Sequence, residues 1–177
     1  MNSRNPSGFT QRWRNGVEGA AAVEFALVLP LLLVLSFGFI EVGRLFWTYH
    51  IATASVRDAA RYGARLNPNC SAAGAPGGFG PLARQQIIWL ARTGTTTGSG
   101  APLVTGWIND GSVEVRVTCI GNGGGGGPVL GGVYSGLAAI PAVTVTATVP
   151  YNPQFGGLLG GLTMTSFTVS HREAWTE

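Results

Sequence analysis

The chain opens polar, turns apolar for one long stretch, continues with helical periodicity and ends in alternating segments. Residues 1–19 are polar, bear Gly, Pro and Ser, and carry Arg4, Arg12 and Arg14. This pattern predicts a short cytoplasmic leader or tail without regular structure. Residues 20–40 are then apolar, small or proline throughout, save one carboxylate, Glu24. As a helix they would span about 31 Å at 1.5 Å per residue, which matches a hydrocarbon core of about 30 Å. A transmembrane helix is predicted there, with Pro30 placed mid-span, where a missing N–H kinks the helix or leaves a carbonyl free. Glu41, Arg44, Phe46, Trp47 and Tyr49 follow and mark the far interface, with rings at headgroup level.

Helical character continues beyond that interface. Small or apolar residues recur at Ala52, Val56, Ala59, Ala60 and Gly63, one face of a 3.6-residue period. The opposite face carries Arg57, Arg61 and Arg65 at i, i+4 and i+8, and Asn67-Pro68-Asn69 ends the run. Span and exported helix are thus expected to form one rod of about 45 residues, about 65–70 Å long. A Gly/Ala/Pro-rich loop is expected over 67–80 and a short half-buried helix over 81–92, with Pro81 in its first turn. A Thr/Gly/Ser linker should occupy 93–101. Strands are predicted at 103–108 and 112–119 around an Asn109-Asp110-Gly111 hairpin turn, then at 142–149 and 163–170. Between them, 121–132 reads as a mobile glycine-rich loop. In the second strand Val113, Val115, Val117 and Cys119 alternate with Glu114, Arg116 and Thr118, so one face should be buried.

The expected fold class is therefore α+β, a long N-terminal transmembrane-plus-exported helix packed against a small antiparallel β-sheet. Its divisions are a leader at 1–19, the span at 20–40, an exported helix at 41–66 and an exported α+β domain at 67–177.

Composition narrows the function. Eleven basic residues face eight acidic ones for a net charge of +3, too mild to argue for nucleic acid. All eleven are arginine, and the absence of lysine excludes a Schiff-base lysine and a lysine-bearing phosphate loop. The glycine run 123–127 ends in Pro128, without the Gly-Lys-Ser/Thr of a nucleotide cradle. His50 and His171 lack metal-ligand spacing, no Gly-x-Ser-x-Gly elbow is present, and no catalytic constellation or cofactor site emerges. Only 11% of residues are charged and 28 are glycine, a balance more natural for an exported or assembled protein than a cytosolic one. The two cysteines, Cys70 and Cys119, both lie after the span, so export would allow one disulfide. It would close a loop of about 50 residues, worth on the order of 4 kcal/mol in the chain-entropy model.

Glu24 is the costly residue: a carboxylate at a bilayer centre costs about 2.5–3.5 kcal/mol on insertion scales, less near the interface. Gly19 lies five residues before it, and Ala20-Ala21-Ala22-Val23 fill the gap. This pattern resembles the processing site of type IV prepilins, in which a membrane-embedded aspartyl peptidase cuts after the glycine. Cleavage there would give Ala20 a free α-amine that Glu24 can neutralise, across subunits in a filament. Three stretches extend the match: Gly19-Ala-Ala-Ala-Val-Glu-Phe-Ala-Leu-Val-Leu-Pro30, then Phe37-Gly-Phe-Ile-Glu41-Val-Gly-Arg44, then Arg57-Asp-Ala-Ala-Arg61-Tyr-Gly-Ala-Arg65. Together they resemble the TadE-like family, minor pilin-like proteins of tight-adherence (Flp) pilus systems, over roughly residues 16–65. The resemblance implies prepilin-peptidase processing between Gly19 and Ala20 and a role in pilus assembly, without enzymatic activity. The implied partners are the lipid bilayer, the prepilin peptidase, other pilin or pseudopilin subunits and the assembly platform. The implied location is the inner membrane, single-pass, with the N-terminus cytoplasmic.

The competing expectation is an unprocessed single-pass anchor carrying an exported domain that binds a ligand or cell-wall polymer. Its contact candidates are the Arg57, Arg61, Arg65 stripe and exposed Trp89 or Trp107. A simpler view of the stripe is a solvated helix face, where like charges at i, i+4 cost a few tenths of a kcal/mol each. Glu41 and Arg44, three apart, are expected to form a local pair.

Overall fold

A computed structural model describes residues 17–66, 68–70, 76–123, 129–156 and 164–174. Helix α1 runs from Val17 to Arg65, 49 residues with Pro30 inside it. It starts two residues before Gly19, where unstructured leader was expected, because an apolar helix extends into neighbouring residues at little cost once nucleated. It ends where the Leu66 N–H closes a tight turn onto the Gly63 carbonyl at 3.1 Å, just before Pro68, which disfavours helix in the residue ahead of it.

Helix α2, Pro81–Thr93, has proline in its first turn and stops at Gly94. That glycine sits at φ 73°, and its N–H returns to the Leu90 carbonyl, a left-handed cap that a Cβ would strain. The sheet is antiparallel with order β1-β2-β3-β4. Its strands are β1 Pro76–Gly77, β2 Val113–Gly121, β3 Ala139–Pro150 and β4 Ser166–Ala174. The register sets Val113, Val115 and Val117 opposite Ala147, Val145 and Val143, and those three opposite Val169, His171 and Glu173. These rows make one face of the sheet, since side chains alternate with period 2. The other face carries Glu114, Arg116, Thr144, Thr146, Thr168 and Ser170.

The chain divides into two compact units, Met1–Val42 with Gln154–Leu162, and Gly43–Pro153 with Thr163–Glu177. In the second, Ala52, Val56, Ala59, Ala60 and Ala64 of α1 share one core with Ile87, Ile88 and Ala91 of α2, Val143, Val145, Ala147 and Val149 of β3, and Val113 and Val169. Small residues on α1 let its backbone approach the sheet. Gly63 marks the tightest point, where an added Cβ would lie 3.0 Å from Ile87 Cδ1 and 3.1 Å from Val143 Cγ1. Each valine or isoleucine removed from water there contributes about 1.5–3 kcal/mol.

The expected hairpin is absent. Residues 103–108 form turns rather than a strand. Leu103 donates its N–H to the Arg92 carbonyl at 2.8 Å, and Trp107 donates to Val104 at 3.0 Å. Arg92 Nε in turn donates to the Trp107 carbonyl at 3.0 Å, and the Arg92 guanidinium pairs with Asp110. The segment is thereby held against α2. The Asn109 side chain accepts from the Gly111 N–H at 2.9 Å, turning Asp110–Ser112 into a short 3-10 helix instead of a hairpin turn. β2 finds its outer partner at Pro76–Gly77, inside the stretch expected to be loop. Gly77 is required there: an added Cβ would collide with Val117 Cγ1 and come within 2.8 Å of the Asn69 carbonyl. The last strand lies at Ser166–Ala174, a few residues later than expected. Within the glycine-rich loop, residues 124–128 lie outside the described residues.

Candidate functional site

Two stretches of α1 carry the sequence-derived candidates. In the first, every described side chain from Gly19 to Ser36 is exposed. Leu27 is 76% accessible, Val23 62% and Leu31 61%. The most apolar window has a mean hydropathy of 2.4 with none of it buried. A helix that is apolar all round and uncovered by its own chain requires a bilayer or other protein as its solvent.

The resulting cylinder carries Glu24 as its one charge between Gly19 and Ile40. Glu24, Gly19 and Ala20 are all exposed, and space around Gly19 is open, with nothing within 4 Å of an added Cβ. Ala20 and Glu24 are four apart, so they neighbour one another on one helix face. At Pro30 the helix continues, and the missing N–H removes the bond that the Ala26 carbonyl would otherwise accept.

At the far end of the apolar run, Glu41 is buried, 8% accessible. Its Oε2 accepts the backbone N–H groups of Gln154 and Phe155, both at 3.2 Å. One turn earlier, the Phe37 ring stacks on Phe155 with centroids 4.9 Å apart. Sequence reasoning missed this arrangement. It paired Glu41 with nearby Arg44, and nothing local points to a partner more than 100 residues away. Beyond it, Phe46 and Trp47 are exposed at 59% and 72%.

On the second stretch, Arg57, Arg61 and Arg65 all face solvent, as does Asp58. None of them takes part in the ion pairs found among the described residues. The three guanidinium groups share one face of α1, opposite the small residues that enter the core.

Trp107 does not belong to any exposed contact surface. It is 1% accessible, and its indole Nε1 donates to Ser112 Oγ at 2.8 Å. Burying the ring while satisfying its one donor is what a core tryptophan requires. Trp89 is half-buried. An open groove of about 610 Å³ between α2 and β2 is lined by Arg84, Gln85, Ile88, Asp110 and Glu114. Its Asp110 is already engaged by Gln85, at 2.7 Å, and by Arg92, so this carboxylate ties α2 to the turn before β2.

Cys70 and Cys119 are joined by a disulfide, with Cα atoms 5.7 Å apart and a sequence separation of 49. The bond fastens the chain just after α1 to β2. Next to it, Asn69 bridges to Gly78 and β1 pairs with Val117 and Thr118.

Residues 19–61 match the model of the TadE-like protein family, the family that the motifs resemble. The matched segment holds Gly19, Ala20, Glu24, Pro30, Glu41, Arg57 and Arg61. It stops before Arg65 and both cysteines. No curated protein and no solved structure matches the chain.

Proposed function

We propose that this protein is a pilin-like component of a tight-adherence pilus system, anchored in the inner membrane by α1 and processed between Gly19 and Ala20. The family match points to a membrane protein associated with such a pilus, and the long apolar helix reads as a single-pass anchor. The observation that carries the finer reading is the placement of Glu24. It is the one charge on an uncovered apolar helix, four residues from the alanine that cleavage would make the N-terminus.

In the precursor Ala20 has an amide nitrogen, and among the described residues no cation pairs with Glu24. Cleavage would create an ammonium group one helical turn away. In an assembly that ammonium would meet the glutamate of an adjoining subunit, so each charge is neutralised within apolar surroundings. Gly19 suits the preceding position for a further reason. The scissile bond lies in the first turn of α1, and a peptidase needs extended backbone. Glycine weakens a helix by about 1 kcal/mol relative to alanine, which eases local unwinding.

On this reading the N-terminus is cytoplasmic and the disulfide-bearing domain is exported. Its partners are the bilayer, the prepilin peptidase, other pilin or pseudopilin subunits and the assembly platform. The stripe of Arg57, Arg61 and Arg65 is an available contact for acidic subunit surfaces. The competing reading, an unprocessed anchor for a ligand-binding domain, is weakened because Trp107 is core.

Intact mass and N-terminal sequencing of protein extracted from membranes containing an active prepilin peptidase test the proposal. The expected chain begins at Ala20; one retaining residues 1–19 in full overturns it. Glu24→Ala should still insert and be processed while pilus assembly fails. Normal piliation in that variant would remove the charge-pairing mechanism.

A further inference from the structure

We propose that Gln154 and Phe155, in the turn that leaves β3, form a second membrane-contacting element, with Phe155 seated in the outer edge of the hydrocarbon layer beside α1. The inference rests on reading residues 20–40 as the span. Phe37 belongs to that span, about 4.5 Å along the helix axis from its last residue, Ile40. Because Phe155 stacks on Phe37 at 4.9 Å, the turn reaches the level of the apolar run instead of stopping above it. Around that level the neighbouring side chains are lipid-compatible: Phe39 is 76% accessible, Ile40 51% and Val42 50%.

Irregular backbone enters a membrane boundary only if its polar groups are satisfied, since water is scarce there. Glu41 answers this for two of the donors beside the helix: its carboxylate takes the N–H groups of both Gln154 and Phe155. The buried carboxylate is thereby hydrogen-bonded by what it holds. The sequence agrees with the location. From Gln154 through Ser170 the sequence carries no charged residue. The occupant of this surface is accordingly lipid, and Glu41 is a positioning residue for the turn.

Collision accessibility of a nitroxide tests the idea in the full-length protein, reconstituted in phosphatidylethanolamine/phosphatidylglycerol vesicles with the native disulfide closed. Spin labels are attached at Phe155→Cys, at Leu32→Cys as an in-membrane reference and at Val129→Cys as an aqueous one. The expected oxygen-to-nickel-chelate collision ratio at 155 is severalfold above that at 129 and approaches that at 32. A ratio at 155 equal to that at 129, with 32 in lipid, overturns the proposal and leaves the span intact. Aqueous behaviour at 32 instead overturns the span reading itself. Because the labelled cysteine removes the stacking ring, a photoreactive benzoylphenylalanine at 155 gives a second measurement: lipid adducts support the proposal, and adducts to protein alone overturn it. Glu41→Gln in the labelled chain should lower the ratio at 155 without moving that at 32; an unchanged ratio at 155 refutes the positioning role.

Discussion

Two stretches of the same helix solve the problem of apolar surface in opposite ways. From Val23 to Leu35, α1 is built mostly from large side chains, leucine above all, and every one is uncovered. From Ala52 to Ala64 the buried positions are alanine, valine, serine and glycine, with arginine on the outer side. Large side chains suit a fluid solvent that moulds around them. Small ones suit a fixed partner, because they allow the helix backbone to lie close to a sheet already filled with valine. The contrast shows that composition along one uninterrupted helix records what each portion is dissolved in. It also explains why α1 needs no break between the two regimes.

Three perturbations sharpen the contrast. The largest effect is expected from the covalent tie that belongs only to the portion after the apolar stretch. Replacing Cys70 and Cys119 together by serine should lower domain stability by about 4 kcal/mol in the chain-entropy model, measured by denaturant unfolding in detergent followed by near-ultraviolet circular dichroism. Helix content of the apolar stretch should stay unchanged. A loss of the whole far-ultraviolet helix signal in parallel would show that the two regimes unfold as one.

Equal truncations come next. Ile87→Ala removes a fully buried side chain and should cost about 2–5 kcal/mol. Leu31→Ala removes comparable atoms from a side chain 61% accessible and should leave the same unfolding transition unmoved. A similar loss from both would break the distinction.

The smallest effect separates two glycines of α1. Gly63→Ala adds a methyl against Ile87 and Val143 at 3.0–3.1 Å. Overpacking of about 1–3 kcal/mol then outweighs the helix-propensity gain of about 1 kcal/mol, so a net loss of about 1 kcal/mol is expected. At Gly43 nothing lies within 4 Å of the added atom, and Gly43→Ala should gain a few tenths to about 1 kcal/mol. Thermal midpoints of the two single variants suffice; the same sign for both would contradict the packing described at Gly63.

Much of this architecture was legible because it depends on local periodicity. The apolar run, the alanine face of α1, helix 81–92 and the alternating valines of β2 and β3 are each written within a dozen or so residues. What escaped reading depends on partners far away in sequence. Residues 103–108 have strand-like composition, yet Arg92 holds them as turns: its carbonyl accepts the Leu103 N–H and its Nε donates to the Trp107 carbonyl. Pro76–Gly77 is too short for any periodicity, and it becomes a strand because β2 presents an edge to it. Trp107 looked like an available ring because its partner, Ser112 Oγ, becomes a neighbour only when the hairpin fails to form. Glu41 was assigned the nearest opposite charge, and the backbone N–H groups that donate to it, 113 and 114 positions later, lie beyond any local pattern. In the candidate site, motif spacing can single out Gly19, Ala20 and Glu24 because the chemistry proposed for them is confined to little more than one helical turn.

The core placement of β3 has a consequence for the timing of biogenesis. If export runs from α1 onward, the stripe of Ala52, Val56, Ala59 and Ala60 reaches the outside long before Val143 and Val145 arrive to cover it. Contacts of such long sequence separation form late, and apolar surface waiting for them is open to misassociation. Alanine offers strangers little to grip. On such a route, the same economy of side chain that lets the sheet lie close to α1 would keep the nascent helix harmless until its cover arrives.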